Sequence, residues 1–177
     1  DLSGEVTNMV TNFIPDEVMD EVIMDEVAMD EVVMNEVTMG EVLTVLPFQN
    51  TLATFQITGA TVVAALENGV SQVEEVKGRF PQVAGLKFTW DPSVAPNEGR
   101  ITEVMVMEGD AWAPIDPDKV YGVVSNNYVR GGGDGYKMFR DAMNAYDYGP
   151  DLADVTAEYL AENAPYTPYT DGRIAKK

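Results

Sequence analysis

The chain of 177 residues carries 30 Asp and Glu against 11 Lys and Arg, for a formal net charge of −19, and has neither histidine nor cysteine. That charge repels phosphate backbones and argues against nucleic-acid binding, while the missing imidazoles and thiols rule out Ser-His-Asp and Cys-His devices, disulfides and the commonest metal ligands. Hydrophobic content of 45% fits one globular domain of ordinary size, and no apolar run nears the roughly 20 residues that a membrane-spanning helix needs.

The N-terminal third is unusual. From Asp1 to Val76 there are fifteen acidic residues and no Lys or Arg. Asp16 to Val42 reads as an acidic pentad tandem, "DEVM DEVIM DEVAM DEVVM NEVTM GEV". On a helix a period of five scatters the valines around the axis and sets acidic residues such as Glu21 and Asp25 at i,i+4. On a strand an odd period turns successive units to opposite faces. Neither regular element suits the pattern. Carboxylates such as Asp25 and Asp30 could gather Ca²⁺, yet the spacing is not that of a calcium loop, and a solvated acidic face is the simpler reading.

After Gly40 the chain becomes conventional. "GEVLTVLP" predicts a short helix halted by Pro47. "TLATFQITG" alternates, with Ala53, Phe55 and Ile57 opposite Leu52, Thr54 and Gln56, and predicts a strand. "TGATVVAALENGV" predicts a helix with Thr58 as its N-cap. "LKFTW" and "ITEVMVM" are expected strands, the first closed by Asp91-Pro92. "KVYGVVSNNYV" is expected as a buried strand running into the glycines of "RGGGDGY". "GYKMFRDA" and "DLADVTAEYLAENAP" are expected helices, the second stopped by Pro165. The alternation gives a mixed α and β domain.

Three motifs in order, "GEVLTVLPFQNTLATFQITGATVVAALENGVS", "GRFPQVAGLKFTWDPS" and "DPDKVYGVVSNNYVRGGGDGY", resemble the C-terminal, substrate-recognition domain of the 5′-nucleotidase family, which includes periplasmic UDP-sugar hydrolases and ecto-5′-nucleotidases. The resemblance runs from about Glu36 to Ala164. It implies an α+β fold, a layered α/β/β/α arrangement with mixed sheets, forming a single domain over residues 1–177. Residues 14–35 would then be an atypical acidic tandem in place of the family's first strand and Arg loop. The position of that substrate-holding Arg falls on Met29, and no Arg occurs before Arg79.

The resemblance also implies a site. In this family two aromatic rings sandwich the nucleoside base, and the matching positions are Phe48, in the "PFQN" turn, and Tyr128, shortly before "GGDGY". A base stacked on an aromatic ring is worth roughly 1–3 kcal/mol, and every base has a π-face. Asn50 matches the residue that bonds the base edge, and Asp134 the carboxylate that receives the ribose hydroxyls. Gly78 matches a glycine whose backbone approaches the nucleoside. Each has a plainer reading: Phe48 as a core ring, Asn50 and Asp134 as turn caps, and Gly78 as a bend. Gln49 stands where the family has glycine, so a positive φ there would be strained. Arg130 replaces a small residue and reads either as a phosphate contact or, more simply, as an ion-pair partner.

The implied activity is that of a metal-dependent phosphohydrolase whose two divalent metals sit on a separate N-terminal metallophosphatase domain. This chain would hold no metal or catalytic residue, be inactive alone, and bind a nucleotide or nucleoside for that partner domain. The family places the protein in the periplasm or outside the cell. The other readings are a non-catalytic binding or structural module on the same fold, and an acidic Ca²⁺-binding repeat protein.

Overall fold

The computed structural model describes residues 37–177. Residues 14–35, Met29 and the candidate calcium carboxylates Asp25 and Asp30 lie outside the described residues.

The last unit of the tandem enters the first helix, α1 (Met39–Val45). Thr38 begins it with a reciprocal cap: its hydroxyl accepts from the Glu41 N–H, and Glu41 Oε2 accepts from the Thr38 N–H at 2.7 Å. Those donors, the Thr38 backbone first and its hydroxyl second, hold the Glu41 carboxyl below its ordinary pKa. The helix ends ahead of Pro47, as expected.

Strand β1 (Leu52–Thr58) buries Ala53, Phe55 and Ile57, the set that its alternation picks out. Thr58 then caps helix α2 (Gly59–Gly69), its hydroxyl accepting from the Thr61 N–H at 3.3 Å. Strands β2 (Leu86–Trp90) and β3 (Ile101–Glu108) follow as expected, with a further strand, β4 (Ala111–Pro114), after a tight turn. Strand β5 (Val120–Asn126) is shorter than its apolar run suggests. The Asn126 side chain accepts from the Val129 N–H at 2.8 Å, which turns the chain out of the ladder into a short helix, α3 (Asn127–Arg130). Tyr128 therefore stands on a helical turn, where a strand was expected. Lys137–Asp141 winds as a 3₁₀ helix, followed by β6 (Met143–Tyr146), α4 (Leu152–Glu162) and β7 (Ile174–Lys176).

The strands form two sheets. In the first, β1 lies between β5 and β6, antiparallel to both. The second has the order β4-β3-β2-β7, with β7 parallel to β2, so it is mixed. Phe55 and Ile57 of β1, Tyr121 and Val123 of β5, Leu86, Phe88 and Trp90 of β2, and Val104 and Val106 of β3 meet Val62, Ala65 and Leu66 of α2 in one core. Each large apolar side chain so buried contributes roughly 1.5–3 kcal/mol. A ring ladder extends this core toward the glycine loop: Phe55 to Phe139 at 4.9 Å between centroids, then Phe139 to Tyr136 at 5.4 Å. The architecture is the α+β, two-sheet domain that the resemblance implied.

Candidate functional site

Three separate stretches of chain converge at the Leu52 end of the first sheet. The Thr51 N–H donates to Asn127 Oδ1 at 3.2 Å, and the Asn127 N–H donates to the Thr51 carbonyl at 2.9 Å. The Leu152 N–H donates to the Asn50 carbonyl at 2.8 Å, and Thr51 bridges to Asp151. These bonds fasten the turn after α1 to α3 on one side and to the start of α4 on the other.

Between them lies a cavity of about 370 Å³, within the size range of small-molecule sites. All five residues singled out from the sequence line it: Phe48, Asn50, Gly78, Tyr128 and Asp134. Val45 and Leu46 close one side, with Leu152 and Ala153 from the first turn of α4 on another. The sequence alone did not assign α4 to the site, because nothing local marks Leu152 or Ala153 as anything but the start of a helix.

Phe48 is 78% exposed and Tyr128 53%, so neither ring is a core side chain. Gln49, between Phe48 and Asn50, has φ 49°, the left-handed conformation that costs a residue with a Cβ about 1–2 kcal/mol. Asn50 is half-buried, and the Asn50 carbonyl accepts from the Leu152 N–H. Asp134 also lies in the left-handed region, at φ 48° and ψ 29°. The Tyr128 hydroxyl donates to its Oδ1 at a long 3.4 Å, and the Tyr128 ring rests against Gly133. Gly78 lies exposed at the rim, ahead of Arg79.

The electrostatics of the lining are one-sided. Among the described residues no Lys or Arg lines the cavity, and the carboxylates in its lining are Asp134 and Asp151. Asp151 is committed to capping α4, where its Oδ1 accepts from the Ala153 and Asp154 N–H groups. Asp134 is the one of these two that caps no helix, its Oδ1 meeting, among the described residues, only the long bond from Tyr128. Arg130, the nearby cation, is taken by Asp147, to which its Nε donates at 2.6 Å. This is the ion-pair reading of Arg130. Two exposed rings, Phe48 and Tyr128, and the Asp134 carboxylate border the cavity. Among the described residues its lining offers no cation to a phosphate.

The family model described as 5′-nucleotidase, C-terminal domain, matches residues 8–141. The chain belongs to this family. As a 5′-nucleotidase C-terminal domain it is 40% identical over 136 residues to the trifunctional nucleotide phosphoesterase protein YfkN of Bacillus subtilis, and 33% identical over 134 residues to the rat 5′-nucleotidase. Those matches take in 75% and 73% of this chain but 9% and 23% of the relatives, so the chain spans under a quarter of either. The crystal structure of the 5′-nucleotidase precursor from Thermus thermophilus superposes with a TM-score of 0.76 and 38% identity, covering 79% of this chain and 28% of that one. The family match starts ahead of the pentad tandem and stops short of α4, whereas the resemblance read from the sequence runs from about Glu36 to Ala164.

Proposed function

We propose that this domain is the nucleoside-recognition part of a metal-dependent 5′-nucleotidase-type phosphohydrolase. Phe48 and Tyr128 stack on the two faces of the base, Asn50 bonds its edge, Asp134 receives the ribose hydroxyls, and the backbone at Gly78 borders the sugar. The observation that carries this reading is the convergence of these five residues, drawn from four segments, on one cavity that has no cation in its lining. Such a site takes the neutral part of a nucleotide and leaves its phosphate outside.

The chain lacks histidine, and among the described residues no group of three or more acidic side chains could hold a metal ion. We assign hydrolysis to a separate metallophosphatase domain. This chain's own contribution is to bind and orient the nucleoside so that its phosphate faces that partner, which lowers the barrier through positioning. A periplasmic or extracellular location goes with this assignment and with the Thermus relative being described as a precursor. No helix among the described residues is long and apolar enough to cross a membrane.

Calorimetric titration of the chain with adenosine and with UMP tests the reading. Binding should weaken in both Phe48→Ala and Tyr128→Ala, each by the roughly 1–3 kcal/mol of one base stack, or about 5- to 150-fold. If the unaltered chain binds neither ligand, the recognition role is wrong and a structural module on the same fold takes its place.

A further inference from the structure

We propose that Asn68 is a positioning residue that sets how strongly this site distinguishes a ribonucleoside from its 2′-deoxy counterpart, acting through the backbone of Asp134. The inference rests on the proposed role of Asp134 as acceptor of the ribose hydroxyls.

A non-glycine residue at φ 48° persists only when its surroundings hold it there. Next to Asp134, Gly135 sits at φ 84°, a conformation that imposes little restraint of its own. The Tyr136 N–H closes the turn onto the Gly133 carbonyl at 3.0 Å, and the side-chain restraint on the Asp134 backbone comes from Asn68, near the end of α2, whose Nδ2 donates to the Asp134 carbonyl at 3.1 Å. Its Oδ1 accepts from Arg79 Nη1 at 3.3 Å. The two partners fix which end of the amide is which, since a carbonyl only accepts and a guanidinium only donates. The amide also presses on the loop: a Cβ at Gly135 would lie 2.6 Å from Asn68 Oδ1. On the far side, Tyr136 is almost fully buried and its hydroxyl donates to the Arg79 carbonyl at 2.7 Å.

Asn68 thus ties together the two loops that bring Gly78 and Asp134 to the cavity, without lining the cavity itself. It stands on a helix whose neighbouring residues, Leu66 and Gly69, are buried, so the tie is anchored to the core. Loss of the tie frees Asp134 to leave the left-handed region and swings its carboxylate away. The ligand feature that depends on that carboxylate is the pair of ribose hydroxyls, of which a 2′-deoxynucleoside lacks one.

The test is titration of the full chain with adenosine and with 2′-deoxyadenosine, in Asn68→Ala, Asp134→Ala and the double variant. Asn68→Ala should lower the ratio of the two affinities by roughly twofold or more, the lower end of coupling between contacting residues. In the Asp134→Ala background the same change should leave the ratio alone. Equal loss of both ligands in Asn68→Ala, or an unchanged ratio, overturns the role of Asn68. If the unaltered chain binds neither nucleoside, or Asp134→Ala keeps the ratio, the recognition reading itself fails and takes the inference with it. Should Asn68→Ala not fold, Asn68→Asp serves instead. It keeps the shape while setting an acceptor against the Asp134 carbonyl, and a retained ratio in that variant also overturns the proposal.

Discussion

A side chain at residue 133 would begin 2.4 Å from Cε1 of Tyr128, closer than real Cβ atoms approach their neighbours, so the ring keeps its place only because Gly133 has none. Its φ is not positive, so alanine is compatible with the backbone, and the nearest atoms it would meet belong to the ring. Gly133→Ala should therefore push Tyr128 aside and weaken adenosine binding about as much as Tyr128→Ala, by roughly 1–3 kcal/mol. Calorimetry checks this, and unchanged affinity would mean that the ring is not the ligand contact. Gln49 shows the opposite economy. It stands where related sequences have glycine, and the turn holds a positive φ there despite the side chain.

Helix α1 has seven residues, too short to persist in water by itself, so it depends on its cap and on its packing against α4. Thr38→Ala removes the hydroxyl half of the capping box and should cost about 1 kcal/mol. In a domain of this size that lowers the melting temperature by about 2–4 °C, readable in a thermal melt. The sequence showed this helix, β1, α2, β2, β3 and α4 because each carries a cap or a burial period of its own. It did not show β6, whose four residues are all exposed and so leave no alternation to read. Nor did it show β7, three residues paired in parallel with a strand more than eighty positions earlier. The site was legible to a different extent. Phe48, Asn50, Gly78, Tyr128 and Asp134 follow from family likeness, whereas the α4 wall follows only from a fold that sets Asp151 beside Thr51.

At the scale of the whole molecule, Tyr136 joins the glycine loop to the core and gives folding a pH dependence. Burial first, and the Asp134 charge second, push its hydroxyl pKa above the ordinary 10. The unfolded chain releases that proton near 10 while the folded chain keeps it, so this contribution is complete below 10 and is lost as pH rises further. Urea midpoints followed from about pH 9 to about pH 11.5 should decline more steeply in the unaltered chain than in Tyr136→Phe. That variant should start about 1 kcal/mol lower, having lost the bond to Arg79. Parallel slopes would show that Tyr136 is not the group responsible. The position of α4 carries a different consequence. A chain trimmed at residue 141, where the family match ends, would retain the five site residues named from the sequence and lose Leu152 and Ala153 from the lining, opening that side of the cavity. The edge drawn by likeness and the edge drawn by packing are different lines in this molecule, and the second is where a binding-competent fragment has to be cut.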